Sequence, residues 1–81
     1  MIERYRKEID RIDSKILGLF EERMVFSKKI GNYKREKGKL ISDLNREKKI
    51  ILGLTNKTKL DKKFIKEIYR VIFKFSKKVQ K

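Results

Sequence analysis

The sequence contains no cysteine and no histidine, and these two absences exclude much of the usual catalytic chemistry. Without cysteine there is no disulfide framework, no thiolate nucleophile and no cysteine metal site. Without histidine, zinc sites lose their usual ligands, and the Ser-His-Asp and Cys-His schemes lose the imidazole that accepts a proton near neutral pH. Any chemistry here therefore relies on Lys, Arg, carboxylates, amides or hydroxyls.

Long apolar runs are missing as well. No stretch approaches the ~20 apolar residues needed to span a bilayer, and the N-terminus lacks the apolar segment of a secretory signal. We therefore expect a cytoplasmic protein with no membrane partner.

Negative charge is scarce: 11 Asp and Glu stand against 25 Lys and Arg, which gives a formal charge of +14 and favours an anionic partner. The 81 residues suffice for one small domain, and we expect a single domain over residues 1–81. A chain this short buries only about 60% of its unfolded surface as a monomer. Because that burial is marginal without disulfides or a metal, we expect a homo-oligomer.

The first 36 residues predict one long helix, over about 2–36. No proline interrupts them, and apolar residues recur there at alternating intervals of three and four. The narrow apolar seam that results is what packing against a partner helix requires. The seam residues are Ile2, Tyr5, Ile9, Ile12, Ile16, Leu19, Phe26, Ile30 and Tyr33.

Two shorter helices follow, so the predicted fold class is all-α with three helices per chain. Lys37-Gly38-Lys39 ends the first pattern, and Ser42-Asp43 provides capping oxygens for a second helix that runs to about Thr55. After the polar stretch 56–59, Asp61 is the predicted N-cap of a third helix that runs to the C-terminus. Its expected buried side consists of Ile65, Ile68, Tyr69, Ile72, Phe75 and Val79.

Two cationic side chains interrupt the seam of the first helix. Arg23 stands where the alternation between Leu19 and Phe26 predicts an apolar residue, and a buried guanidinium is costly unless it is paired. Lys34 lies eleven residues further on, within about 20° of the same face and about 16 Å along the axis. Taken alone, each is explained by an intersubunit ion pair or by a Lys at the edge of the core.

Polar residues also stand near the packed sides of the other two helices. Asp43, Arg46 and Glu47 prolong the apolar stripe of the second helix, and alone they are explained as a cap with local ion pairs. Ser76 and Gln80 are spaced i,i+4 in the third helix. Polar groups from three helices together favour a pocket for an anionic ligand inside a helical bundle. None is an obvious nucleophile, so the set suits electrostatic stabilisation of a charged transition state better than covalent catalysis.

The order and spacing of these residues resemble the all-helical class of chorismate mutases, in its short, monofunctional form. That family converts chorismate to prephenate in aromatic amino acid biosynthesis. The resemblance covers nearly the whole chain, although the chain lacks the prolines often found before and after the residue that matches Asp43. The matching segments are 6–13, Glu22-Arg23, 30–34, 43–47, Leu60-Asp61 with Phe64 and Ile65, and Ser76 with Gln80.

The resemblance implies an intertwined homodimer in which the long first helices pair and each active site draws on both chains. It implies that Arg23, Lys34 and Arg46 bind the carboxylates and the ether oxygen of the substrate. It also implies that Arg6 enters the site of the other subunit.

The same resemblance gives the uncharged and acidic residues their expected roles. Gln80 would donate a second hydrogen bond to the ether oxygen, and Ser76 would contact a carboxylate. Glu47, with the backbone near Asp43, would bind the substrate hydroxyl. The implied reaction is a unimolecular Claisen rearrangement, in which negative charge grows on the ether oxygen as the C–O bond breaks. It needs no nucleophile, metal or cofactor.

Other functions stay open from the sequence. An isochorismate pyruvate lyase or an aminodeoxychorismate mutase would use the same fold, but the lyases depart from the mutase pattern in the second helix, where this chain keeps Asp43, Arg46 and Glu47. A basic nucleic-acid-binding helical protein fits the charge, although the cations occur around the helices rather than in one stripe. A purely structural bundle explains the seam but not the joint placement of the polar residues.

Overall fold

Three helices make up the part of the chain that the computed structural model describes, residues 1–40 and 43–81. They are α1 (Ile2–Glu36), α2 (Leu44–Lys57) and α3 (Lys62–Gln80). No strand occurs in these described residues. The predicted all-α class and the number of helices are confirmed.

The first two helices end close to where the sequence predicts. Gly38 has φ +66°, a backbone conformation that glycine adopts without a steric penalty, and the amide of Lys39 donates to the carbonyl of Lys34 at 2.8 Å. The chain therefore turns away directly after α1. Helix α2 ends at Lys57 rather than Thr55, which is a small extension of the expected range.

Aspartates cap the N-termini of α2 and α3. An Asp43 carboxylate oxygen accepts from the amide of Arg46 at 3.0 Å, and one from Asp61 accepts from the amide of Lys63 at 2.7 Å. Each cap satisfies an amide that has no partner within its own helix. Ser42, the other predicted capping residue, lies outside the described residues, as does Ile41 of the loop that lacks the family's prolines.

Helix α3 lies between the other two helices and packs against both, whereas no Cα atom of α1 lies within 8 Å of a Cα atom of α2 in the described residues. In the part of the chain that the structure describes, the buried apolar side chains are Ile65, Ile72 and Phe73. The predicted buried side of α3 is thus right for Ile65 and Ile72 and misses Phe73. It is wrong within one chain for three residues on the side of the helix that neither neighbour covers: Ile68, Phe75 and Val79.

The N-terminal half of α1 extends beyond the rest of the chain. Its seam residues from Ile2 to Leu19 are 40–63% exposed. The chain measures 55 × 24 × 16 Å and has 7313 Å² of accessible surface, whereas a folded monomer of this mass exposes about 5,200 Å². One chain therefore leaves a long apolar helix face uncovered. None of the described helices is long and apolar enough to cross a membrane.

The tightest contact between α1 and α3 is at Gly31. This residue is buried, and a Cβ placed on it would lie 2.5 Å from the Cα and 2.6 Å from the carbonyl oxygen of Gln80. The guanidinium of Arg35, one turn further along α1, donates to the carbonyl oxygens of Gln80 and Lys81. The C-terminal end of α3 is therefore held directly against α1.

This contact predicts that Gly31→Ala destabilises the fold. Alanine is usually favoured over glycine in a helix interior by about 1 kcal/mol, but here its methyl group would displace the α3 backbone, and we expect a net loss of about 1–3 kcal/mol. The change in the free energy of unfolding can be measured by urea denaturation.

The matched control is Gly18→Ala, since nothing lies within 4 Å of a Cβ built at Gly18. That variant should be as stable as the wild type or up to about 1 kcal/mol more stable. Equal stability of the two variants would contradict the close approach at Gly31.

Candidate functional site

A pocket of about 440 Å³ opens where α1, α2 and α3 meet. Each helix lines it with residues that recur every three or four positions, so that each helix presents one face to the pocket. Seven of the eight predicted site residues lie in the lining. The lining residues are Arg23, Ser27, Ile30 and Lys34 from α1, Asp43, Arg46, Glu47 and Ile50 from α2 and its cap, and Phe73, Ser76, Lys77 and Gln80 from α3.

The half-buried guanidinium of Arg23 is held by a hydroxyl and a ring. It donates to Ser76 Oγ at 3.4 Å and lies 6.0 Å from the centroid of the Phe73 ring. Ser76 Oγ is in turn 2.5 Å from Ser27 Oγ, and both serines are buried. No carboxylate of the described residues lies within ion-pair distance of Arg23. Since a guanidinium carries five N–H donors, Arg23 keeps donors for an anionic ligand.

The two carboxylates in the pocket are already engaged. Asp43 caps α2, and Glu47 Oε2 lies 2.8 Å from Lys77 Nζ. The Arg46 guanidinium, by contrast, makes no ion pair with any residue that the structure describes. With Lys34, which lines the pocket and is half-buried, the lining has four cations and two carboxylates. The pocket is therefore electropositive.

Gln80 provides an amide at the end of the pocket formed by α1 and α3. Only 8% of the residue is exposed, and its buried Oε1 has no hydrogen-bond partner among the described residues. Buried polar atoms are nearly always satisfied, so this unpartnered amide oxygen marks a place where a hydrogen-bond donor is expected.

Arg6 is the one predicted site residue that a single chain does not bring to the pocket. It lies seventeen residues before Arg23, which is about 26 Å along α1. Its guanidinium is exposed and lies 3.3 Å from Glu3 Oε1. Within one chain, Arg6 therefore belongs to the uncovered part of α1.

Five of the lining residues were not among the predicted site residues, although Ile30 was placed in the apolar seam of the first helix. The prediction followed the apolar stripe of α3 through Phe75, whereas the stripe that faces the pocket passes through Phe73. The signal was available in the spacing, since Ser27 lies four residues after Arg23 and Phe73 lies three before Ser76. The five residues are Ser27, Ile30, Ile50, Phe73 and Lys77.

The lining is suited to binding a compact dianion rather than a metal. Within residues 1–40 and 43–81, no three acidic side chains are grouped so as to hold a metal ion. Guanidinium, ammonium, hydroxyl and amide donors instead approach the pocket from three helices. Such an arrangement can orient a carboxylate and stabilise negative charge that develops on an oxygen.

Comparison with known proteins identifies relatives of the chain. Residues 5–81 match the sequence model of the family described as chorismate mutase type II. A chorismate mutase of Methanocaldococcus jannaschii is 36% identical over 79 residues, which cover 94% of this chain and 80% of that protein. A bifunctional chorismate mutase/prephenate dehydratase of Buchnera aphidicola is 35% identical over 80 residues, which cover 95% of this chain but only 21% of that protein. No solved structure matches the chain significantly.

Proposed function

Because the chain belongs to the chorismate mutase type II family, a family of isomerases, we propose that it converts chorismate to prephenate in the pocket between its three helices. The observation that carries the proposal is the electropositive lining itself, in which residues far apart in sequence approach one small cavity. Its volume of about 440 Å³ is within the usual range for a small-molecule site. The role in aromatic amino acid biosynthesis and a cytoplasmic location belong to the same proposal.

The rearrangement suits this pocket because it requires charge stabilisation and little else. One C–O bond breaks and one C–C bond forms within a single molecule, so no group is transferred to the protein. Negative charge grows on the ether oxygen as the C–O bond lengthens. Donors fixed at that oxygen bind the transition state more tightly than the substrate, and they therefore raise kcat. We assign this role to Lys34 and Gln80.

The remaining lining residues position the substrate. Arg23 and Arg46 have guanidinium donors available for the two carboxylates, and a planar fork can hold a carboxylate through two parallel hydrogen bonds. Ser76, which already contacts Arg23, contributes a hydroxyl to a carboxylate. Glu47, together with the backbone at Asp43, accepts the hydrogen of the substrate hydroxyl.

We further propose that two chains form an intertwined homodimer with shared sites. The uncovered seam of α1 is the apolar face that a second copy would bury, and it is long enough for two α1 helices to pair along their length. In such a dimer, Arg6 of each chain would complete the pocket of the other. This arrangement gives a function to a cation that lies far from the pocket of its own chain.

Arg23→Leu tests the assignment of the pocket. Removal of the guanidinium should lower kcat/KM at least about 100-fold, because the substrate loses a charge-assisted contact to a carboxylate that holds it in the reactive position. The fold should persist, because a half-buried cation with no carboxylate partner is replaced by an apolar side chain. Turnover is measured by the loss of the chorismate ultraviolet band, with prephenate identified as the product.

Arg70→Leu is the matched control, since Arg70 is exposed and does not line the pocket. It should retain wild-type activity. An active Arg23→Leu variant would remove Arg23 from the site, and a folded wild-type protein without turnover would refute the proposed function.

Gln80→Leu separates transition-state stabilisation from substrate binding. Leucine has a similar size but no amide donor, so we expect kcat to fall about 10- to 100-fold while KM changes much less. The two constants are obtained from initial rates over a range of chorismate concentrations. A rise in KM at constant kcat would mean that Gln80 binds substrate and transition state equally.

Mixing two inactive variants tests the shared site. Arg6→Ala and Arg23→Ala should each be inactive, but a heterodimer would have one pocket with both arginines intact. Random reassortment makes half of the dimers heterodimers, so the mixture should recover about a quarter of wild-type activity. A mixture that stays inactive after denaturation and joint refolding would rule out the exchange of Arg6 between subunits.

A further inference from the structure

Lys77 is the pocket residue that neither the sequence pattern nor the proposed chemistry explains. It lies on α3, one residue after Ser76, and its Nζ contacts Glu47 Oε2 of α2 at 2.8 Å. The two side chains are only 30% and 21% exposed. The pair therefore links two helices at the wall of the pocket. By contrast, the pairs Arg6–Glu3 and Arg11–Glu8 are exposed and join residues three apart within α1.

The ion pair engages one of the two carboxylate oxygens of Glu47 and leaves the other available. Lys77 takes Oε2, while Oε1 of Glu47 makes no hydrogen bond to a described residue. An ionised carboxylate has acceptor capacity on both oxygens, so Oε1 can still accept a hydrogen bond from a hydroxyl in the pocket. Lys77 thus fixes where that acceptor lies without blocking it.

The charge of Lys77 matters as much as its position. A bare carboxylate at Glu47 would repel a dianionic ligand, and it would attract the guanidinium of Arg46 or Arg23 away from that ligand. Paired with Lys77, Glu47 contributes no net charge. The positive charge of Arg23, Lys34 and Arg46 then exceeds the one negative charge left in the lining, that of Asp43 at the cap of α2.

We infer that Lys77 is a positioning and specificity-determining residue, which acts through Glu47 to present one oriented acceptor to the substrate hydroxyl while shielding the bound dianion from the Glu47 charge. This role rests on the proposed function. It predicts that replacing Lys77 lowers kcat/KM only when the Glu47 carboxylate is present.

A double-mutant cycle of Lys77→Met and Glu47→Gln tests this dependence by steady-state kinetics on chorismate. Lys77→Met should lower kcat/KM about tenfold, within the range of coupling between residues in contact. Most of that loss should appear as a rise in KM, because repulsion weakens binding before reaction. In the Glu47→Gln background, where there is no charge to neutralise, the same substitution should change kcat/KM less than about twofold. Lys77→Arg should restore most of the activity.

The matched control is Lys78→Met, which removes the same charge one residue away. Lys78 is exposed, its Nζ lies 5.7 Å from the Phe75 ring centroid, and it does not line the pocket. This variant should keep wild-type kinetics. Urea denaturation of both Met variants accompanies the kinetics, so that a loss of folded protein is not read as a loss of affinity.

Three results would overturn the role of Lys77 and leave the proposed function standing. They are wild-type kinetics for Lys77→Met, an equal loss in both Glu47 backgrounds, and an equal loss for Lys78→Met, which would indicate steering by net charge. A folded wild-type protein that does not convert chorismate would overturn the proposed function and, with it, the role of Lys77.

Discussion

The close approach of α1 and α3 at Gly31 is the contact on which the pocket depends. Because the backbones of α1 and α2 stay more than 8 Å apart, Cα to Cα, in the described residues, the position of α3 sets how the two other walls of the pocket are placed. The end of α3 that supplies Ser76 and Gln80 can approach α1 closely because Gly31 has no side chain. Arg35 donates hydrogen bonds to the carbonyl oxygens at that end of the chain. A larger residue at Gly31 would move two site residues together. The close approach of the α1 and α3 backbones therefore determines where the pocket side chains of α3 lie.

The interior of the single chain is rich in polar groups. Among residues 1–40 and 43–81, the buried polar residues Ser27, Thr55, Ser76 and Gln80 outnumber the buried apolar residues Ile65, Ile72 and Phe73. Buried hydroxyls and amides contribute little net stability even when they are paired. Much of the interior of a single chain thus consists of pocket residues, while the apolar seam of α1 stays exposed to solvent. The proposed pairing of two chains would supply the missing apolar burial.

Most of the fold followed from local chemistry that the sequence displays directly. The three-four alternation of apolar residues, the break at Gly38 and the caps at Asp43 and Asp61 predicted the helices, and the comparisons confirm the predicted family. The burial pattern of α3 was harder to predict, because that helix is apolar around much of its circumference. Which part is buried depends on where α1 and α2 lie, and helical periodicity carries no information about that.

The pocket residues, like the fold, were predictable from the sequence only in part. Residues that break an apolar stripe, such as Arg23, or that continue one with charge, such as Glu47, could be recognised because they conflict with their local pattern. Lys77 could not, since one more lysine among 25 Lys and Arg has no local contrast. Its significance arises only from the tertiary contact with Glu47. In a chain this basic, sequence alone does not distinguish a functional Lys or Arg from the many others.

In the proposed dimer, pairing of the uncovered half of α1 would couple folding to protein concentration. In proteins, most of the stability of a helix comes from packing of its apolar face. If a second copy supplies that packing, the N-terminal half of α1 gains much of its stability on dimerisation, and forming the native state is a second-order process. The population of folded enzyme would then follow mass action, so its melting temperature would rise with the amount of protein present. Expression level would set the number of catalytic sites more steeply than in proportion to the number of chains.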